Sequence, residues 1–180
     1  MESARLSNIA STRSVFSIDL YMVDFGTGNA PSMGHRRWLL SNSLGPVGIG
    51  SADSFSCIEV IGGQGNAGAE WTAWPPPGLV PVDALAPPSI WWTDIDENGW
   101  SVQSDTLDLG ASNVTVEVLR DGQPVALTQR ALLAFYGSRY GIGWTYDEVV
   151  SVEPGHTWDV TIRGDFPDIA YRVETVDCAL

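Results

Sequence analysis

The chain has no lysine. All nine basic side chains are arginines, set against 22 carboxylates, and the net charge is −13. A nucleic-acid surface needs clustered Lys and Arg to neutralise phosphates, so this balance excludes one. Cysteine is almost as scarce. Cys57 and Cys178 are too few for a disulfide scaffold or a structural zinc site. A bridge between them would close a loop of roughly 120 residues and contribute about 4–5 kcal/mol in chain entropy; two buried free thiols are the alternative. Histidine occurs only at positions 35 and 156, and the second lies in a turn, so no Ser/His/Asp set can be argued. No apolar run approaches the ~20 residues of a membrane helix, so no transmembrane segment is expected. Met1-Glu2-Ser3-Ala4-Arg5 lacks the basic and apolar regions of a signal peptide.

What is present suffices for a core. The 180 residues are 44% hydrophobic and 17% charged, enough for one ordinary domain or two small ones and too apolar for a disordered chain. Residues 14–24 predict a helix, apolar on most of its circumference, with Ser14, Ser17, Tyr21 and Asp24 as one narrow polar stripe facing a cavity or solvent. Gly26-Thr27-Gly28-Asn29 breaks it. Pro31 suits the first position of a second short helix, capped by Asn29 or Ala30. In that helix His35, Trp38 and Leu39 share a face, while Arg36 and Arg37 turn away from it. Gly34 leaves room for another backbone to approach His35. Strands are expected near 47–49 and 55–61.

Gly34-His35-Arg36-Arg37-Trp38, followed by Gly48-Ile49-Gly50, resembles the second His motif of the CAP superfamily (cysteine-rich secretory, antigen 5 and pathogenesis-related proteins) in its bacterial form. Ser7-Asn8-Ile9-Ala10 resembles that family's Glu-Asn-Ile-Ala segment, and Leu20-Tyr21-Met22-Val23-Asp24 the helix with its second acidic residue. The likeness covers residues 1–62, the later half of such a domain. It implies that the first half lies upstream of Met1; a short form standing alone is the alternative. It also implies a cleft in which His35, Asp24 and Ser7 take three of four positions. Ser7 stands where an acidic residue is expected, and the first His has no counterpart. One His and one Asp fall short of a zinc shell, so neither a metal nor a catalytic role is expected. A His35 simply hydrogen-bonded to Asp24 or to a loop carbonyl is the alternative to a ligand-binding one.

Residues 63–87, with Gly62-Gly63-Gln64-Gly65 and Trp74-Pro75-Pro76-Pro77-Gly78, read as a stiff connection, since prolines exclude a helix interior or central strand. From residue 88 to 180 the period is two: Val114, Val116 and Val118, then Trp158, Val160 and Ile162, with Asp121-Gly122 as a hairpin turn. The expected fold class is therefore α+β: a partial CAP-like α/β/α unit followed by an immunoglobulin-like β-sandwich. In some bacterial CAP proteins a β-rich segment follows a Trp-Pro stretch in the same order.

Asp94-Ile95-Asp96-Glu97-Asn98-Gly99 has the start of a calcium loop, with Asp105 at the twelfth position. Strand-like flanks and the Asn98-Gly99 turn signal favour a hairpin with solvated carboxylates, and calcium is the alternative. No other cofactor is expected. Cys57, in an apolar strand without a cationic neighbour, has no sign of activation. Asn113-Val114-Thr115 is a glycosylation sequon only in a eukaryotic secretory setting. Five of the eight tryptophans (Trp71, Trp74, Trp91, Trp92, Trp100) lie within thirty positions, as core packing or as a platform for sugars.

Two functions are thus expected. One is a secreted, extracellular or cell-envelope CAP-like protein without enzymatic activity, which binds a lipid, cell-wall component or protein partner. The other is a carbohydrate-binding or adhesive sandwich using its Trp-rich surface. A hydrolase acting in the CAP cleft is least expected.

Overall fold

Strand outweighs helix in the computed structural model of the chain, about 38% against 13%, and the fold is mostly β. The structure describes residues 3–12, 16–62, 65–87, 98–148 and 152–178. Three sheets hold the strands among these residues.

The N-terminal part is built on a small antiparallel sheet. A 3-10 turn, Ser3–Leu6, leads into β1 (Ser7–Ala10); β2 (Gly48–Ser51) and β3 (Ser56–Glu59) complete the order β1-β3-β2. Helices α1 (Phe16–Val23) and α2 (Gly34–Leu39) pack together against it. Tyr21 of α1 joins Ala10, Ile58 and Val60 in a small core, with Leu20, Trp38 and Leu39 around it. Ile9, on the sheet face opposite to Asn8 and Ala10, is 53% exposed. The expected α/β/α unit is therefore corrected. Helices cover one face of this sheet, and they are short because turns occupy Thr27–Ser32. Pro31 falls inside those turns. The second helix starts at Gly34 after Met33, a buried residue with φ 46° and ψ 45°.

The described part of the polar stripe of the first helix faces inward: Ser17, Tyr21 and Asp24 are buried, whereas Phe16 and Ile18 are exposed; Ser14 lies outside the described residues. Packing overrides amphipathicity because the stripe finds partners. The Tyr21 hydroxyl lies 3.1 Å from the Asn8 carbonyl and 3.3 Å from that of Ser56, and it donates to these strands.

The remainder is a β-sandwich. One sheet has the order β4-β6-β10-β9, from β4 (Thr72–Trp74), β6 (Trp100–Ser104), β9 (Leu127–Ala131) and β10 (Tyr140–Tyr146). The other is β5-β12-β11-β7-β8, from β5 (Gly78–Pro81), β7 (Thr115–Arg120), β8 (Gln123–Pro124), β11 (Thr157–Gly164) and β12 (Phe166–Val176). All pairings are antiparallel except β5 with β12. Alternation places Trp158, Val160 and Ile162 in the core opposite Trp100, Val102, Ile142 and Trp144. The Trp100 and Trp158 ring centres are 5.2 Å apart across it. Asp121 and Gly122, with φ of 50° and 78°, make the β7–β8 turn that the sequence signals.

The segment read as a connection does more than connect. It supplies one edge strand to each sheet, β4 and β5, with the proline run between them and a one-turn helix, α3 (Val82–Leu85), after them. Edge strands tolerate the missing N–H of proline, which central strands do not. Cys57 and Cys178 are both free, so no bridge ties the last strand to the first part.

Candidate functional site

His35 is the second residue of α2, and Asp24 follows α1 directly. Asp24 has φ 53°, a left-handed conformation that aspartate tolerates better than most residues. That bend aims its carboxylate at the start of α2. Asp24 Oδ1 lies 2.8 Å from His35 Nδ1, and Oδ2 accepts the Arg36 N–H at 3.3 Å. The Asp24 side chain is wholly buried behind the imidazole, which is 35% exposed. Two further contacts fix the histidine. Tyr21 stacks on its ring, with centres 5.8 Å apart and planes 19° off parallel, and the Asn8 amide donates to its carbonyl at 2.8 Å.

This arrangement sets the chemistry of the imidazole. The hydrogen bond to Asp24 raises the His35 pKa above 6.5, burial works against it, and the Asp24 charge adds to the rise. With Nδ1 committed to Asp24, Nε2 is the nitrogen left for a ligand: a donor when the ring is charged, an acceptor when it is neutral.

A cavity of about 290 Å³ opens beside the ring. Ser7, Asn29, Ser32 and His35 give it polar walls, Trp38 and Tyr136 aromatic ones. Of the three residues singled out for the CAP-like cleft, Ser7 and His35 line this cavity and Asp24 backs it. Tyr136 comes from the loop between β9 and β10 and had no signal of its own in the sequence. The one available hint was Gly34, read as room for a backbone. What occupies that room is a side chain: a Cβ on Gly34 would lie 2.8 Å from Tyr136 Cδ1.

Arg36 and Arg37 face away from the cavity, yet both are buried. Arg36 donates to the carbonyls of Met22, Val23 (3.1 Å) and Gly99 (2.8 Å) and to Ser101 Oγ (3.3 Å). Arg37 donates to the carbonyls of Ser32 (3.1 Å), Leu133 (2.6 Å) and Ser138 (3.0 Å) and to Gln103 Oε1 (3.2 Å). Together they stitch α2 to the sandwich. Asn98 adds a third stitch, donating from Nδ2 to the Asp24 and Gly26 carbonyls. Its own carbonyl accepts from Arg130 at 2.7 Å.

Other candidates are less assembled. Asp94 and Asp96 of the calcium alternative lie outside the described residues. Asn98, at 1% exposure, spends its amide on Asp24, and Asp105 accepts the Arg139 N–H at 3.2 Å. Among the described residues no group of three His, Cys, Asp or Glu side chains is placed to hold a metal. His156 lies in a turn as expected, but is half-buried and sits 2.6 Å from Asp121 Oδ2. Hydrogen bonds from the Thr157 N–H and then His156 hold the Asp121 carboxyl below its usual range. Trp100, Trp144 and Trp158 are buried in the sandwich core, with Trp71 and Trp74 packed against it; Trp91 and Trp92 lie outside the described residues.

No family model, curated protein or solved structure matches the chain. No helix among the described residues is long and apolar enough to cross a membrane.

Proposed function

We propose that the chain binds a component of the cell envelope in the His35 cavity, outside the cell, without catalysing a reaction on it. The observation that carries this reading is the cavity itself, where residues from β1, α2 and the sandwich converge around an imidazole held by a buried carboxylate. Fixed polar groups with aromatic walls are the ordinary make-up of a small-ligand site. The extracellular direction comes from the resemblance of Gly34-His35-Arg36 and Ser7-Asn8-Ile9-Ala10 to the CAP superfamily. A binding role is favoured over hydrolysis by the make-up of the cavity. Asp24 is wholly buried and supports His35 from behind, and none of the described residues lining the cavity is a carboxylate that could serve as a second acid or base.

Co-sedimentation with purified cell-wall sacculi, run beside neutral phosphatidylcholine vesicles, tests the proposal. The wild-type chain should pellet with sacculi, and His35→Ala should stay in the supernatant while keeping its circular dichroism spectrum. Equal sedimentation of the two proteins, or none by the wild type with either material, refutes the reading.

A further inference from the structure

We infer that the sandwich selects the ligand of the His35 cavity through Tyr136, and that the group selected is a neutral sugar ring. This rests on the binding reading above and names the ligand class for the same site.

Tyr136 is about 100 residues from Gly34 in sequence, and the loop that carries it is fastened down at several points. The Leu133 N–H donates to the Pro31 carbonyl at 2.8 Å, Arg37 donates to the Leu133 and Ser138 carbonyls, and Ser41 Oγ donates to the Gly137 carbonyl at 2.5 Å. A loop held this way presents its aromatic ring already in position, so little ordering cost falls on the ligand. Gly34 completes the fit. Any side chain there would collide with the Tyr136 ring, so the glycine and the tyrosine form one wall.

The remaining walls define what that ring faces. Ser7, Asn29 and Ser32 are uncharged, and the one ionisable group among the polar walls, His35, already has its counter-charge in Asp24. A net charge of −13 disfavours the approach of anions. A neutral ligand is therefore preferred to a phosphate or a carboxylate. About 290 Å³ is at the lower end of ligand sites, suited to one ring rather than an acyl chain. A pyranose has the matching character: hydroxyls at its edge for the serines and Asn29, and a C–H face for an aromatic ring.

Titration with the tetramer of β1,4-linked N-acetylglucosamine, followed by calorimetry and by the His35 ring signals in NMR, tests this. Tyr136→Ala should bind about tenfold more weakly, and Tyr136→Phe within about twofold of wild type. Tyr136→Leu keeps most of the volume while removing the π face; it should weaken binding like Tyr136→Ala and guards against a collapsed loop. If Tyr136→Ala and Tyr136→Leu bind like wild type while His35→Ala does not, the cavity reading stands and the role of the sandwich falls. If the wild type pellets with sacculi but ignores the tetramer, the sugar class is wrong. If it does neither, both proposals fail.

Discussion

Replacing Arg36 by methionine should cost about 3–5 kcal/mol of stability. The charge itself is not what stabilises. Burial lowers the Arg36 pKa to about 10, so desolvation opposes the charged form. The hydrogen bonds more than offset this. Arg36 serves three main-chain carbonyls and the Ser101 hydroxyl, and bonds from a charged donor contribute about 1.5–3 kcal/mol each. Methionine has similar length and relieves the desolvation, but it leaves the Met22, Val23 and Gly99 carbonyls buried without this donor. Replacing a buried ion is harmless only when its partners are replaced as well; main-chain carbonyls cannot be. Urea denaturation, read by far-ultraviolet circular dichroism and by tryptophan fluorescence, measures the loss. A midpoint shift worth less than about 1 kcal/mol at unchanged slope would refute the reasoning.

Four further outcomes are expected. The His35 pKa is raised in the folded state, so its pairing with Asp24 stabilises fully below the unfolded value of 6.5 and is lost as pH rises through the folded pKa. Asp24→Asn should lower the His35 pKa in an NMR titration and flatten stability across that window, and an unmoved titration would break the pairing. Gly99→Ala should destabilise by about 3 kcal/mol or more, because φ is +70° and the new Cβ would lie 1.8 Å from the Trp144 carbonyl oxygen; an unchanged melting temperature would count against that contact. Exposed Cys178 should react with a thiol reagent in the native state faster than half-buried Cys57, and a reductant should leave the melting temperature unchanged because both are free. Melts in calcium and in chelator should coincide, since Asn98 is buried away from solvent and Asp105 already accepts the Arg139 N–H; a calcium-dependent rise abolished by Asp105→Asn would revive a cation site.

Periodicity made the sandwich readable. Strands with one wet and one buried face show period two, as Trp158, Val160 and Ile162 do, and Asp121-Gly122 needs no tertiary context to turn. The first part was less readable because its local signals compete with packing. The Ser17–Tyr21–Asp24 stripe could be recognised as a stripe, but its inward direction depends on carbonyls of β1 and β3. Arg36 and Arg37 could be read only as turning away from the His35 face, since nothing near them in sequence reveals seven acceptors on other segments. The Asp24–His35 contact was expected only as what the resemblance to the CAP superfamily implies. Tyr136 was not, because the wall it forms joins parts of the chain about 100 residues apart.

The buried arginines bear on how such a chain can be inherited. A sandwich following a helix-bearing part looks like a module that recombination could exchange for another. Here an exchange would strip two guanidiniums of their acceptors on the sandwich, and leave the Leu133 and Ser138 carbonyls and Gln103 without those donors on the other piece. Graft products would begin with a folding defect larger than most single substitutions cause. Lineages of this protein should therefore pass both parts on together, and the residues at the seam should change in concert rather than one at a time.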